Sequence, residues 1–295
     1  MSDQDKLDKF KFQIVYLVPI LASLVFGLGC AYLLMPPTIR STAIPVTPIP
    51  NSTPAAPVAN ALYFVVIVSI SAVVFYLLIK RRSKNIIKGL IVVAMTAASL
   101  LLSLEYLNAI LSTYFPNLDI LPVLIGSCLA ITVLFDLAIF RFGSIPRNLA
   151  VVGIGGALGI FFGFEISLYS GLWSAVLILA FLAAYDVFAV YRGPVGKIAQ
   201  SSGGMEQLQG LSFSFKDIEM GLGDLVFYSM LTGAMFFSFL PSILPCIVSI
   251  VGIMAGSIIT FFMLEKKGIF PGLPFPIMLG LAGGLITGLV ILPLH

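Results

Sequence analysis

Two aspartates inside apolar stretches define the chemistry that this sequence could perform. Asp186 follows Tyr185 within the apolar run 171–191, and Asp224 lies near the start of the run 221–240. A charged side chain at the centre of a membrane helix costs about 3 kcal/mol even on the mildest scales, so an aspartate there is a functional candidate by default. Two carboxyl groups that meet could divide general acid and general base catalysis between them.

The composition identifies a membrane protein and narrows the chemistry further. Of 295 residues, 59% are hydrophobic and only 10% are charged, which leaves too little polar surface for a soluble domain or a nucleic-acid interface. The one histidine is His295, so the interior can hold neither a histidine zinc site nor a serine–histidine pair. The three cysteines are isolated and are interpreted as small core residues. We therefore expect carboxylate chemistry without a metal or an organic cofactor.

Nine apolar runs are long enough to cross a membrane as helices. A helix needs about 20 residues to span about 30 Å of hydrocarbon, and each run approaches that length. The predicted spans are residues 12–35, 61–79, 86–112, 121–140, 149–166, 171–191, 221–240, 243–264 and 272–294. The fifth is the shortest of them. The sequence thus predicts an all-α polytopic bundle of nine transmembrane helices.

Basic residues indicate how the nine spans are oriented. If the amino terminus is cytoplasmic, all but one of the 16 lysines and arginines fall in cytoplasmic segments, and only Arg40 lies outside. This is the distribution that the positive-inside rule describes. We therefore expect the amino terminus inside and the carboxyl terminus outside.

This topology places the two aspartates at similar depths. The sixth span runs toward the cytoplasm and the seventh away from it, so Asp186 lies about 9 Å and Asp224 about 7.5 Å below the cytoplasmic face at 1.5 Å per residue. Gly221 and Gly223, on either side of Leu222, remove side-chain bulk just before Asp224. Another backbone or a substrate could approach closely there.

A proline-rich turn opens the ninth span at the same face. Pro271, Pro274 and Pro276 lie close together, with Gly272 and Leu273 between the first two. Proline lacks an N–H donor and biases the preceding residue away from the helix, so the span is predicted to start raggedly with unpaired backbone groups. Such backbone is tolerated at membrane depth only where it is buried in protein or lines a wet cavity. The cavity that holds the two aspartates is the expected place.

The other acids within spans receive structural interpretations. Asp136 is near enough to Arg141 in the sequence for an ion pair in which the arginine snorkels to the interface. Glu105 and Glu165 fall toward the outer ends of their spans, where interfacial water would solvate them. We therefore expect the chemistry to depend on the other two aspartates.

Two segments outside the spans have distinct patterns. Residues 36–60 are rich in proline, threonine and serine, which predicts an extended exposed loop, and the sequon at Asn51 is interpreted as a chance tripeptide. Residues 192–220 form a long cytoplasmic loop, in which Leu211 to Phe215 alternates apolar and polar side chains as a strand does. An unwound substrate segment could pair with this strand or with the proline-rich turn.

The whole chain is predicted to be a single membrane domain. Residues 1–170 hold the first five helices, and residues 171–295 hold the last four with the candidate catalytic motifs. In the fifth span Gly155, Gly159 and Gly163 lie at intervals of four, on one helix face. This pattern predicts close contact with a neighbouring helix.

These motifs together resemble the presenilin and signal peptide peptidase family of intramembrane aspartyl proteases. The Tyr-Asp motif of the family is similar to Tyr185 and Asp186, its Gly-x-Gly-Asp motif to residues 221–224, and its Pro-Ala-Leu motif to residues 271–273. Gly272 stands where the family usually has alanine, a small-for-small change. The nine spans, the cytoplasmic amino terminus and the short loop between the acids are similar to microbial presenilin homologues of the archaeal type.

The resemblance implies an intramembrane endopeptidase that cleaves transmembrane segments of membrane protein substrates. It assigns the catalytic acid–base pair to Asp186 and Asp224, and it implies that Tyr185 and residues 221–223 and 271–274 support the site or bind substrate. It requires no metal and no cofactor. The expected partners are substrates within the lipid bilayer, and assembly into a homo-oligomer stays open.

Two alternatives to the protease remain at this point. Paired membrane carboxylates also serve cation- or proton-coupled transporters and channels, whose sites lie near the bilayer midplane between repeated halves. The shallow position of the two acids and the lack of an evident inverted repeat favour the protease. The second alternative is a catalytically inactive membrane scaffold.

Overall fold

The computed structural model describes residues 12–35, 46–50, 52–81, 84–115, 120–192, 212–215, 218–267 and 270–291. Within these ranges the chain forms nine α-helices and a two-stranded antiparallel hairpin. The helices are α1 (Val18–Leu33), α2 (Ala56–Lys80), α3 (Lys84–Tyr114), α4 (Ile120–Phe140), α5 (Ser144–Tyr169), α6 (Leu172–Tyr191), α7 (Leu222–Ser238), α8 (Leu244–Lys267) and α9 (Pro274–Ile291). The strands are β1 (Ser212–Phe215) and β2 (Ile218–Gly221).

The helices confirm the prediction of an all-α, multi-pass integral membrane protein. Eight helical segments are long and apolar enough to cross a membrane, and α7 is a shorter apolar helix of 17 residues. The first of the eight, Ile14–Leu33, consists of α1 and the 3₁₀ turn that precedes it. The predicted seventh span is shortened because Gly221 belongs to β2. The fifth span was predicted to be the shortest, and that prediction is wrong. With 26 residues, α5 extends from the polar turn at Ser144 to Tyr169, beyond both ends of its apolar run.

The most buried of the spanning helices is α5, and its glycines set its distance from α7. A Cβ atom added to Gly163 would lie 2.6 Å from the carbonyl oxygen of Met230, and one added to Gly159 would overlap the carbonyl oxygen of Val226. Gly155 also faces α7, but there the nearest atoms belong to the side chains of Leu225 and Leu222. The predicted close contact is thus confirmed, because the absence of side chains lets the two backbones touch.

α8 contacts both the segment before α1 and the start of α9. The backbone N–H of Phe12, just before α1, donates to Oε2 of Glu265 near the end of α8 at 3.0 Å. At Gly256 an added Cβ would lie 2.5 Å from the backbone of Phe275, so α8 also packs directly on the first turn of α9. This contact fixes where the chain re-enters the bundle after α8.

The segment before α2 is packed in part and exposed in part. Thr47 is 2% exposed, and its hydroxyl is hydrogen-bonded to that of Ser170 at the junction of α5 and α6. The side chain of Asn60 accepts from the N–H of Ile49 and donates to its carbonyl, at 3.2 and 2.9 Å. The exposed-loop prediction is therefore wrong around Thr47 and Ile49, because polar groups of two helices replace water there. It is also wrong for residues 56–60, which begin α2, but residues 52–55 are exposed as predicted. Residues 36–45 and Asn51 lie outside the described residues.

Three acids interpreted as structural have other surroundings than expected. Asp136 accepts a hydrogen bond from the hydroxyl of Thr96 at 2.9 Å, across α3 and α4, and within the described residues no ion pair joins it to Arg141. Glu105 and Glu165 are only 3% and 4% exposed. Their predicted interfacial solvation is wrong, because both lie on faces that turn toward the interior of the bundle.

Most of the predicted cytoplasmic loop, residues 193–211, lies outside the described residues, as does Arg40. The orientation of the bundle relative to the cytoplasm stays a prediction.

Replacing Gly159 with alanine tests the contact between α5 and α7. The added methyl group overlaps the backbone of Val226, so the helices must separate, and overpacking of this kind costs about 1–3 kcal/mol. We expect a lower midpoint of thermal unfolding for the purified protein.

Gly126→Ala on α4 is the matched control, since a Cβ atom there meets no atom within 4 Å. Its midpoint should stay unchanged or rise slightly. Equal midpoints for the two variants would contradict the packing role of Gly159.

Candidate active site

Asp186 and Asp224 come from different helices and meet at one turn of the chain. Asp186 lies near the end of α6, and Asp224 lies in the first turn of α7. Both side chains are partly buried. The two carboxyl groups are close enough to interact electrostatically. The structure therefore brings the two sequence-predicted acids together.

Two consecutive residues of the turn before α9 contact the two acids. The backbone N–H of Leu273 donates to Oδ2 of Asp186 at 3.0 Å. Gly272 lies against the other acid, since a Cβ atom added to it would be 2.9 Å from Oδ2 of Asp224. The phenol of Tyr228 donates to the carbonyl oxygen of Gly272 at 2.9 Å. The turn is thus fixed to α6 by one hydrogen bond and to α7 by another.

The close approach of Gly272 to Asp224 changes the interpretation of this position. The sequence suggested that glycine and alanine are equivalent here. In this structure an alanine methyl group would press on all three terminal atoms of the carboxyl group, at 2.9 to 3.2 Å. Glycine at this position therefore leaves the carboxyl group of Asp224 room that a methyl group would take.

The proline-rich turn has fewer unpaired backbone groups than its sequence predicts. Pro274 is the first residue of α9, a position where the missing N–H removes no hydrogen bond. The N–H of Ile277 donates to the carbonyl of Leu273 at 3.0 Å, so the helix starts regularly. The prediction of a ragged start is wrong. The backbone of Gly272 and Leu273 is occupied by bonds within the protein, while Pro271 is buried beside it.

The glycines before Asp224 border open space. Gly221 and Gly223 are exposed, and a Cβ atom on Gly223 would meet only the ring of Phe227, at 3.9 Å. Among the described residues no helix packs on them, in contrast to Leu222, which is buried. Room for a further backbone therefore exists next to the carboxyl group of Asp224.

Tyr185, the partner of Asp186 in the sequence motif, is partly buried on α6. Its hydroxyl makes no hydrogen bond with any described residue. Within the described residues Tyr185 therefore lies next to Asp186 without a hydrogen bond to either acid.

A cavity of about 160 Å³ adjoins Asp224 on the side of α8. Its walls include Tyr228, Ser257, Thr260 and Gly272. The hydroxyl of Thr260 is buried and has no hydrogen-bond partner in the described part of the chain. A cavity of this volume with several polar groups can hold water next to the acid. Among the described residues no group of three or more histidine, cysteine, aspartate or glutamate side chains could hold a metal ion.

Sequence reasoning missed Tyr228 and Thr260 as members of the site. Tyr228 stands four residues after Asp224, a spacing that puts both side chains on one helix face, so the signal was present. Thr260 had no such signal, because its place depends on how α8 packs against α7.

A hairpin leads directly into the helix that carries Asp224. The strand predicted in the loop is confirmed as β1, Ser212–Phe215, while Leu211 lies outside the described residues. The second strand was missed. β2 ends at Gly221, which is also the residue that caps α7. Every residue between the hairpin and Asp224 is therefore part of regular structure.

The strand register determines which backbone groups face outward. Phe215 pairs with Ile218 across only two residues, so they form a hydrogen-bonded pair, and such pairs alternate with non-hydrogen-bonded ones. The next pair, Ser214 and Glu219, therefore directs its backbone groups to the two outer edges. Gly221 directs its N–H outward on the same edge as Glu219. Neither outer edge is paired with another described strand.

Tyr228→Phe should loosen the turn between the two acids. The carbonyl of Gly272 loses its hydrogen bond, which lowers stability by about 1 kcal/mol. Hydrogen exchange, followed by mass spectrometry on a peptide containing residues 270–275, should become faster.

Tyr106→Phe provides a matched control, because the phenol of Tyr106 donates to the carbonyl of Ala157 at the same distance, 2.9 Å. This variant should lose similar stability and leave exchange at residues 270–275 unchanged. Equal exchange in both variants would show that Tyr228 does not hold the turn.

Known structures share this architecture although no sequence comparison identifies it. No family model matches the chain, and no curated protein matches it. One solved structure of a presenilin family intramembrane aspartate protease, in space group C222, aligns with a TM-score of 0.62 at 18% identity, over 92% of this chain and 97% of the other. Another, in space group P2, aligns with a TM-score of 0.59 at 21% identity, over 97% and 100%. The chain therefore has the fold of presenilin-family intramembrane aspartate proteases.

Proposed function

We propose that this chain is an intramembrane aspartyl endopeptidase with Asp186 and Asp224 as its catalytic pair. The observation that carries the proposal is the contact of both carboxyl groups with the adjacent residues Gly272 and Leu273. Two acids held next to each other in a membrane bundle have the composition of an aspartyl protease site. The fold, shared with proteases of this kind over nearly the whole chain, supports the same conclusion.

Peptide hydrolysis by this pair needs one ionised and one protonated carboxyl group. The ionised group takes a proton from water as the water oxygen bonds to the peptide carbonyl carbon, and the protonated group hydrogen-bonds the carbonyl oxygen. The tetrahedral intermediate then breaks its C–N bond as the nitrogen receives the proton that the base took from water, which restores the ionised carboxylate. The products are a carboxylic acid and an amine. The cavity beside Asp224 would be a reservoir from which water reaches the pair.

The hydrogen bonds around the pair suggest how the two roles are divided. Oδ2 of Asp186 accepts the N–H of Leu273, and an ionised oxygen accepts such a bond better than a protonated one. We assign the base to Asp186 and the protonated carboxyl to Asp224. Tyr228 and Gly272 are positioning residues, because the bond between them places the turn against the two acids.

Substrate would bind in extended form on the outer edge of β2. A helix hides its peptide carbonyls in its own hydrogen bonds, so a membrane substrate must unwind before water can attack it. The proline-rich turn offers little for pairing, since the N–H of Leu273 and the carbonyl of Gly272 are already used. β2 has an unpaired edge and lies directly before Asp224, whereas β1 contacts α5. Strand addition to β2 would bring the substrate backbone past the open space at Gly221 and Gly223.

The proposed partners are transmembrane segments of other proteins in the same bilayer. The orientation expected from the basic residues puts the pair near the cytoplasmic face. Every group named in the mechanism belongs to one chain, so the proposal requires no second copy.

The pair is tested by cleavage of a labelled transmembrane peptide by the purified protein in lipid vesicles. Wild type should cleave it, and a hydroxyl-containing isostere of the tetrahedral intermediate should block cleavage. Asp186→Asn and Asp224→Asn should each reduce the rate to background, because each removes one member of the pair. The double variant should be no worse than either single variant.

The same samples exclude the alternatives. Thermal unfolding of the asparagine variants should occur at or above the wild-type midpoint, since Asp186→Asn removes a buried charge and Asp224→Asn replaces one uncharged group with another. Isostere-sensitive cleavage by either single variant would refute the assignment. Ion flux into the vesicles without cleavage would favour a transporter, and the absence of both would favour a scaffold.

Glu219→Pro tests strand addition to β2. This substitution removes an N–H that faces the outer edge and leaves the hydrogen bonds between β1 and β2 in place. We expect peptide cleavage to fall at least tenfold with an unchanged unfolding midpoint.

Ser214→Pro is the matched control, since Ser214 is the cross-strand partner of Glu219 and faces the opposite edge. It should cleave at nearly the wild-type rate. The reverse result, with Ser214→Pro inactive and Glu219→Pro active, would move the docking edge to β1.

A further inference from the structure

Met220 connects the docking strand β2 to the cavity beside Asp224. It lies opposite Phe213 in the register of the hairpin. Met220 is 8% exposed and lines the cavity together with Asp224, whereas the next residue, Gly221, is exposed. Successive residues of a strand point to opposite faces. One face of β2 is therefore directed at the cavity and the other away from it.

A strand added to the outer edge of β2 would direct alternate side chains toward this cavity. Residues directly opposite each other on neighbouring strands point to the same face of a sheet, with their Cβ atoms about 4.5–5.5 Å apart. The substrate residue opposite Met220 therefore points toward the cavity, and the residues before and after it point away. Because Asp224 belongs to the same wall, this substrate residue lies close to the peptide bond that is attacked.

The remaining walls suit an uncharged side chain of considerable size. The large apolar residues among them come from α1, from α8 and from the turn before α9: Ile20, Phe261, Leu264 and Phe270. The described lining residues include no lysine or arginine, so an acidic side chain would lose its hydration without compensation. The volume of about 160 Å³ is close to that of an engineered cavity of about 150 Å³ that binds benzene. The ring of a phenylalanine therefore fits.

We propose that this cavity selects the substrate side chain opposite Met220 and prefers a large apolar one, up to at least the size of phenylalanine. The inference rests on the proposed function, because only a substrate paired with β2 presents its side chains in this alternation. An entering side chain displaces water that lies beside Asp224, which agrees with the supply of water from this cavity to the pair. The substrate class is thus a membrane segment with a large apolar residue, and no acidic residue, at one position near the cleaved bond.

A scan of the substrate tests the alternation. The full chain in lipid vesicles cleaves transmembrane peptides in which each residue around the cleaved bond is changed in turn to alanine, phenylalanine or glutamate. Mass spectrometry identifies the cleaved bond, and kcat/KM is compared among peptides that are cut at the same bond. We expect one position at which phenylalanine raises kcat/KM about tenfold over alanine and glutamate reduces it to background. The two adjacent positions should show little preference.

Variants of Leu264 change the size of the cavity in opposite directions. Leu264→Trp should abolish the preference for phenylalanine over alanine at the selected position. Leu264→Ala should raise the ratio of kcat/KM for tryptophan to that for phenylalanine about fivefold there. A ratio measured on one variant does not depend on the folded fraction, so a loss of stability cannot imitate either result.

Met263→Trp and Met263→Ala are the matched controls. Met263 precedes Leu264 on α8 and is partly buried like it, but it does not line the cavity. Both controls should keep the wild-type ratios. Equal cleavage with all three residues at every position, a preference at consecutive positions, or identical ratios in the Leu264 and Met263 variants would overturn this inference alone. Failure of the wild type to cleave any peptide would overturn the proposed function and this inference with it.

Discussion

Two carboxyl groups can stay side by side in a membrane bundle only where protein groups replace the water that they give up. Here the replacement is a single turn, with the N–H of Leu273 on one acid and the bare Cα of Gly272 against the other. Tyr228 and the packing of α8 against α9 fix the position of that turn. Each hydrogen bond that holds the three helix ends together thus joins one side chain to a backbone atom of this turn.

Glycines in α5 determine the position of the helix that carries Asp224. α7 carries Asp224 and, with 17 residues, is shorter than a typical membrane span. Its position is therefore set by the contact of its backbone with that of α5. A helix held by backbone contact has less freedom to shift than one held by flexible side chains. Gly159 and Gly163 touch neither acid, but through these backbone contacts they help to determine where Asp224 lies.

Sequence reasoning predicted the helices and the pair of acids because hydrocarbon leaves the chain few choices. Every backbone group in lipid must be bonded within its own helix, so apolar runs translate into helices almost directly. A charged residue in such a run is conspicuous for the same reason, and this applies to Asp186 and Asp224. The features that were mispredicted depend on tertiary contacts. They follow from which helices are neighbours, and no local sequence pattern contains that information. Examples are the burial of Glu105 and Glu165, the packing around Ile49 and the hydrogen bonds of the proline-rich turn.

Gly221 belongs to β2 and to the start of α7 at once, with no flexible residue between strand and helix. The edge of the strand and the carboxyl group of Asp224 are therefore joined by continuous regular structure and are separated by less than one helical turn. Pairing along that edge would therefore fix the position of an extended segment relative to Asp224. Moving the segment by one residue displaces its backbone by about 3.3 Å and exchanges the faces of its side chains. The register of strand pairing would then determine which peptide bond reaches the acids, independently of the residue types at that bond.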